Sequence, residues 1–464
     1  MAPDIKSLPK NLWDTQILPE MAARLGIKEK GYDKYKGMSF EEMEVIFTSG
    51  SYANSPVISQ EDWTLLRGYI MSMAPDSLTN TVIADNVQIT DQFESHIVNV
   101  DHNPGTFITY LNYNEPQVVI GELNGAIHNF DYSNNSFQLL DSIDTAVTGF
   151  EQIGGTSYIT GIGILEPSDL SRGVMYKSFS ESNLKILDSL HRPVHSIIRD
   201  LNVDGSKEIV VSEFGHQTGE LSLFKRMNEQ YIKQTLVNLP GIIKTEIHDL
   251  NNDGLLDIIA LSSQGDEGVL VFYQQKDLQF SMNRLIRYSP VYGTSWFEMV
   301  DYNNDGFLDI VTVQGDNADK TYVQKPYHGL RIHLNDGSNN FTESYFYPLN
   351  GATRFAIEDF DKDNDYDLAL ISTFPDYDNH PELSFVYLEN IGGNVTFEFN
   401  TEIIKEANEG RWLLMDKGDV DQDGDTDIIL SSFSYSFTPV PQNLEKQWQE
   451  NNVDLLILEN QLIN

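Results

Sequence analysis

From residue 107 onward the chain is written in short apolar runs separated by polar breaks. "PVHSIIRDL" from Pro193, "EIVVSEF" from Glu208, "ELSLFKR" from Glu220 and "YIKQTLVNL" from Tyr231 are four such runs in succession. Alternation with a period of two, bounded by Gly, Asn and Asp, predicts half-buried strands joined by tight turns. Four antiparallel strands per unit make a propeller blade. Segments 107–143 and 146–190 each divide into four runs in the same way. With the five units that follow, this predicts a mainly β chain whose residues 81–464 form a seven-bladed β-propeller. The last unit ends on "NVDLLILEN", its third strand. Its fourth is expected from residues 85–101, around "SHIVNVD", which would close the ring and remove the free sheet edge.

The first 80 residues follow a different rule. "LPKNLWDTQILPEMAARLGI" and "ISQEDWTLLRGYIMSMAPDSL" carry helical periodicity, and Ser59 ahead of Glu61 and Asp62 is an N-terminal cap signal. A small α-helical domain over 1–80 is predicted, with Met21, Met38, Met43, Met71 and Met73 in its core.

Among the strand-rich units a single kind of polar break recurs. It reads "DLNVDGSKEIVVS" from Asp200, "DLNNDGLLDIIAL" from Asp249, "DYNNDGFLDIVTV" from Asp301, "DFDKDNDYDLALI" from Asp359 and "DVDQDGDTDIIL" from Asp419. The starts lie 49, 52, 58 and 60 residues apart, the spacing of repeated supersecondary units. Oxygen-rich side chains on alternate positions of a tight loop suit Ca²⁺, a hard cation that takes about 6–8 oxygen ligands. The expected ligands are the side chains of positions 1, 3, 5 and 9 and the carbonyl of position 7. They are Asp200, Asn202, Asp204, Ser206 and Glu208, then Asp249, Asn251, Asp253, Leu255 and Asp257. The third set is Asp301, Asn303, Asp305, Phe307 and Asp309. The last two are Asp359, Asp361, Asp363, Asp365 and Asp367, and Asp419, Asp421, Asp423, Asp425 and Asp427. An EF-hand is excluded, because it needs a Glu at position 12 and flanking helices. Position 12 here is Val211, Ala260, Thr312, Leu370 and Leu430.

These five motifs resemble the FG-GAP or VCBS-type repeats of calcium-loop propellers, whose relatives include integrin alpha-subunit heads. The resemblance implies about five structural calcium sites and a chain exported from a bacterial cytoplasm, to the periplasm or cell surface. It leaves room for a lipid anchor upstream of residue 1 and for membership of an outer-membrane complex. The helical segment resembles the C-terminal portion of a bacterial cytochrome c-like module. With no cysteine anywhere, covalent haem through C-x-x-C-H is excluded, as is a disulfide scaffold.

Charge narrows the function further. A net charge of −40 argues against nucleic acid, which demands a basic footprint. Nineteen of the 70 acidic residues lie inside the five motifs, so bound cations would offset much of the local excess. No apolar stretch approaches the length of a transmembrane helix.

Calcium loops between strands one and two leave the opposite face, built from 4–1 and 2–3 loops, for a ligand. The 4–1 loops supply His191, Arg192, Trp296, Arg354, Arg411 and Trp412 as candidates, and the 2–3 loops His216, Asp266, Glu267, Asp316, Lys325, Tyr327, His328 and Asp376. His195, at the start of a strand, reads as structural. Three functions are consistent with this face: a glycan- or polar-ligand-binding protein, a polysaccharide lyase using Lys325, Tyr327, His328 and Arg411, or a protein–protein scaffold. No compact catalytic signature such as G-x-S-x-G or H-E-x-x-H is present.

Overall fold

Each alternating run becomes a strand, and each group of four becomes an antiparallel sheet with its strands in sequence order. In the computed structural model, which describes residues 3–79, 87–99, 107–179, 182–228, 230–317, 321–433 and 438–462, seven such sheets form the blades of a propeller. They cover residues 108–142, 147–190, 193–237, 242–287, 294–348, 352–403 and 412–460. The first strands of successive blades touch one another around a closed ring, so strand one is innermost.

Strand two of blades three to seven is buried along its whole length, which explains its continuous apolar run. Among the described residues, seven buried apolar clusters occupy the seven interfaces between neighbouring blades. Between blades six and seven, for example, Phe385 and Tyr387 pack against Trp412, Ile428 and Leu456. Closure comes from Phe93–Val98, which pairs antiparallel with Leu455–Asn460 as the outer strand of blade seven. Some of the 85–101 segment lies outside the described residues. Gln88–Ile89 adds a short parallel strand to the edge of blade six.

The helical region holds more than its two long periodic segments. Lys10–Leu12, a π-helical Trp13–Ile17 and Leu18–Arg24 run on from one another. Gln60–Met73 begins at Ser59, whose hydroxyl accepts from the Asp62 N–H. Phe40–Ser49 is a further helix, opened by a capping box between Ser39 and Glu42. Met73 is 45% exposed rather than core, because it falls on the outer face of its helix with Leu66 and Tyr69. A helix over Gln442–Asn451 is inserted between strands two and three of blade seven, its Leu444 and Trp448 seated against Tyr377. No helix among the described residues is long and apolar enough to cross a membrane.

The helical region rests on the propeller, against the face that carries the 4–1 and 2–3 loops. Leu8, Trp13 and Leu18 share a cluster with Val291, Tyr292 and Tyr327. The Tyr327 hydroxyl donates to the Ser7 carbonyl at 2.8 Å, Ser168 donates to Glu42 at 2.7 Å, and Arg172 pairs with Glu41.

Candidate functional site

The acidic loops are organised by their own backbone. In the second copy both Asp249 carboxylate oxygens accept N–H bonds, from Asp253 at 3.0 Å and Gly254 at 2.8 Å, and Asp253 accepts from Leu255. The same bonds recur at Asp200, Asp301 and Asp359. Two positions per loop take positive φ. Position six is glycine or Asn364, as its spacing suggests. Position four is also left-handed in all five copies, at Val203, Asn252, Asn304, Lys362 and Gln422, and carries no shared residue type that would announce it.

Position nine behaves differently from positions one, three and five. Asp257, Asp309, Asp367 and Asp427 are fully buried. One oxygen of each accepts the N–H of loop position two and the other an N–H at the far end of strand three, as Asp257 does from Leu250 and Gln274. The ninth residue therefore ties the loop to its blade. Burial pushes Asp309 up to about 6, and Asp367 and Asp427 up to about 7.

In blades six and seven three carboxylates of the acidic loop converge. Asp359, Asp361 and Asp363 each bring an oxygen within 4.8 Å of the others, and so do Asp419, Asp421 and Asp423. One oxygen of Asp365 and one of Asp419 are buried without a hydrogen-bond donor. Burial first, and neighbouring aspartates second, raise Asp365 to about 6, the electrostatic state that a cation relieves. In the first three copies position three is Asn, and its amide donates to the position-five aspartate at 2.9–3.0 Å. Those loops hold three acidic residues each against five in blades six and seven, so fewer like charges face one another.

Most candidates on the opposite face are structural. Arg192 is buried with its guanidinium on the carbonyls of Ile164, Leu165 and Gly215. Asp266 pairs with Arg284 and Arg287. Glu267 is buried on Thr294 and Gly293 and is raised by that burial to about 7. Lys325 is buried on Asn317 and Thr321, and His328, also buried, accepts from the Gly351 N–H. Tyr327 stacks on Tyr292 beneath the helical region. Arg411 is buried on the Thr373 carbonyl, and Trp412 donates to Ala407. Asp376 caps its own turn through Asn379, and Asp316 is exposed. Because Lys325, His328 and Arg411 are buried, the four residues proposed for a lyase do not form an open catalytic site.

His191 belongs to a charged cluster with Glu213, Glu220 and Lys233. Lys233 Nζ lies 2.7 Å from both carboxylates, so the chain supplies its own cation there. Bonds to Glu213 and then Glu220 raise His191 to about 9 from 6.5. A raised pKa stabilises the fold fully below the unfolded value and loses that effect as pH climbs through the folded one. The melting temperature should therefore decline between about pH 6.5 and 9, and His191→Gln should flatten that decline. Melting curves across this range check it; parallel curves for the two proteins would count against the cluster.

Trp296, Arg354 and His195 face the central channel. Each follows a register break near the start of strand one, as do Lys244 and Leu414, so these residues share one level of the ring. Two residues further on come Glu246, Glu298 and Asp416, joined by Glu151 of blade two, which makes the next level acidic.

One candidate, His216, opens onto a cleft of about 920 Å³ between the helical region and blades three and four. Gln217, Gln264 and Gly265 line the propeller wall, and Thr15, Gln16, Glu20, Arg24, Tyr32, Lys34, Lys36 and Tyr52 the helical wall. Glu20 accepts from Arg24 and Tyr52 at 3.0 Å and from Tyr32. Burial, then Glu20, pushes the Tyr52 phenol up to about 12, so it stays a neutral donor. Lys34 lies 4.7 Å from the Tyr52 ring, and neither Lys34 nor Lys36 makes an ion pair among the described residues. Sequence reading missed this wall because its residues lie in the segment read as a separate domain.

Residues 249–312 match the FG-GAP-like repeat family. The matched span starts at the first aspartate of the second acidic loop and reaches strand two of blade five, so it holds two of the five loops. The loops at Asp200, Asp359 and Asp419 carry the same pattern as the two inside the FG-GAP-like repeat. No curated protein matches the chain. A solved structure titled "YCF48 bound to D1 peptide" aligns with a TM-score of 0.46 at 10% identity, over 81% of this chain and 99% of that one.

Proposed function

We propose that this chain is a calcium-stabilised propeller acting outside the bacterial cytoplasm as a binding protein, and that it takes an acidic glycan into the cleft beneath the helical region. The observation that carries this reading is the composition of the cleft. In a chain of net charge −40, Arg24, Lys34 and Lys36 lie on one wall beside Tyr32 and Tyr52. Arg24 is paired with Glu20 and Asp33 lines the same wall, so Lys34 and Lys36 are the cations offered to a ligand. Lysine and arginine supply charge-assisted hydrogen bonds to a uronate carboxylate. Tyrosine rings supply an apolar face for a sugar, and Gln16, Gln217 and Gln264 offer amides to its hydroxyls. The acidic loops support the location, because calcium sites with oxygen ligands on a flexible loop fill at extracellular concentrations more readily than at cytoplasmic ones.

Calorimetric titration with a uronate oligosaccharide and its neutral analogue tests the reading. Binding should favour the uronate, and Lys34→Glu with Lys36→Glu should weaken it by at least about tenfold, the scale of one charge-assisted bond. The variant should remain folded, with a small fall in melting temperature from the lost contact of half-buried Lys34 with the Tyr35 and Tyr52 rings, since Lys36 is exposed. Equal binding by the double variant would remove the cleft from the site. Absence of binding to any glycan would favour a protein partner.

A further inference from the structure

The basic level of the central channel holds a guanidinium edge that no side chain among the described residues engages. Arg354 makes no ion pair among the described residues. Its Nη1 donates to the carbonyls of Ser295 at 3.1 Å and Thr353 at 3.0 Å, and those are its hydrogen bonds. The Nε and Nη2 donors, the edge that engages a carboxylate with two parallel bonds, are left without partners and remain in reach of water. Lys244 adds a second positive charge. Its Nζ stands 4.0 Å from the centre of the Trp296 ring, and the Arg354 guanidinium stands 4.3 Å from it.

We infer that this level is a binding site for a small carboxylate monoanion, held by the free edge of Arg354 with Lys244 and Trp296 as neighbours. The carboxylate is favoured over larger oxyanions by the planar match to guanidinium. A single charge is favoured by what lies beneath. Glu246 and Glu298, two residues further along strand one, reach back to this level, Glu246 to Lys244 at 3.0 Å and Glu298 to the Trp296 indole N–H at 3.3 Å, and they repel a second negative charge. Lys244 is already paired with Glu246 at 3.0 Å, so Arg354 provides the unmatched charge. Its burial holds the guanidinium down to about 10, against the opposing pull of the Asp316 carboxylate. His195 completes the level as a neutral group, since burial lowers it to about 4. The site is independent of the interdomain cleft, because none of its residues lines that cleft.

Acetate and its neutral isostere acetamide are the probes, at constant ionic strength, with tryptophan fluorescence as readout. Acetate should alter the emission saturably, and acetamide should not. Trp296→Phe should abolish the signal while calorimetry still detects acetate, which assigns the change to this one of five tryptophans. Arg354→Gln should weaken acetate binding at least about tenfold, the effect of losing a bidentate charge-assisted pair, and Arg354→Lys should restore some of it. The Lys34→Glu, Lys36→Glu variant should bind acetate as wild type does, which separates this site from the cleft. Equal responses to acetate and acetamide, or undiminished acetate affinity in folded Arg354→Gln, would overturn the assignment.

Discussion

Chelating calcium should lower the melting temperature by about 10–20 °C. A ligand present at a thousand times its dissociation constant adds about 4 kcal/mol per site, and a large domain moves roughly 2 °C per kcal/mol. Two occupied sites would be enough for the expected fall, and the acidic loops of blades six and seven are the ones proposed. There the aspartates at positions one, three and five converge, and Asp365 and Asp419 each bury an oxygen that lacks a donor. Removing the cation would leave those carboxylates facing one another. The loss should be uneven around the ring. Asp421→Ala should account for a large share of the chelator effect, whereas Asn251→Ala should account for little, because the Asn251 amide already bonds Asp253 at 3.0 Å. Scanning calorimetry with and without chelator decides this. A melting temperature indifferent to chelator would sink the calcium reading.

Trp412→Ala should cost about 3–5 kcal/mol, the usual range for emptying a large buried aromatic site. The side chain is fully buried where blades six and seven meet, among Phe385, Tyr387, Ile428 and Leu456, and its indole N–H donates to the Ala407 carbonyl at 3.0 Å. Trp412→Phe, which keeps most of the apolar volume and loses the hydrogen bond, should cost clearly less. Denaturant unfolding of both variants measures the difference. If Trp412→Ala unfolded at the wild-type denaturant concentration, the residue would have to be read as a ligand contact after all.

Those two residues show how legibility divides. Asp421 could be read because five loops repeat one spacing, and because a cation needs oxygens on alternate positions whatever surrounds the loop. Strand two of each later blade could be read for a similar reason: local alternation gives way to an unbroken apolar run. Trp412 and Arg411 look like ligand contacts in the sequence, since an aromatic beside an arginine after a glycine is common on binding loops. Their burial depends on the next blade and on the inserted helix at Gln442–Asn451, neither of which is adjacent in sequence. The cleft was hidden for the same reason. Lys34 and His216 are 182 residues apart, and only the docking of the helical region brings them onto one cleft. The helix at Phe40–Ser49 was missed for a different reason, since its Ser39–Glu42 capping box is a local signal that the reading passed over.

The clasp at Phe93–Val98 has a consequence for biosynthesis. Its partner strand, Leu455–Asn460, is made after the first six blades, so an emerging chain carries an open arc with two raw sheet edges until that strand appears. The early edge must wait while the blades between Val98 and Leu455 are made. A chain that stalls before Leu455, or is cleaved ahead of that strand, would present that edge to other such copies, and strand exchange between them would follow the same pairing that seals the finished ring.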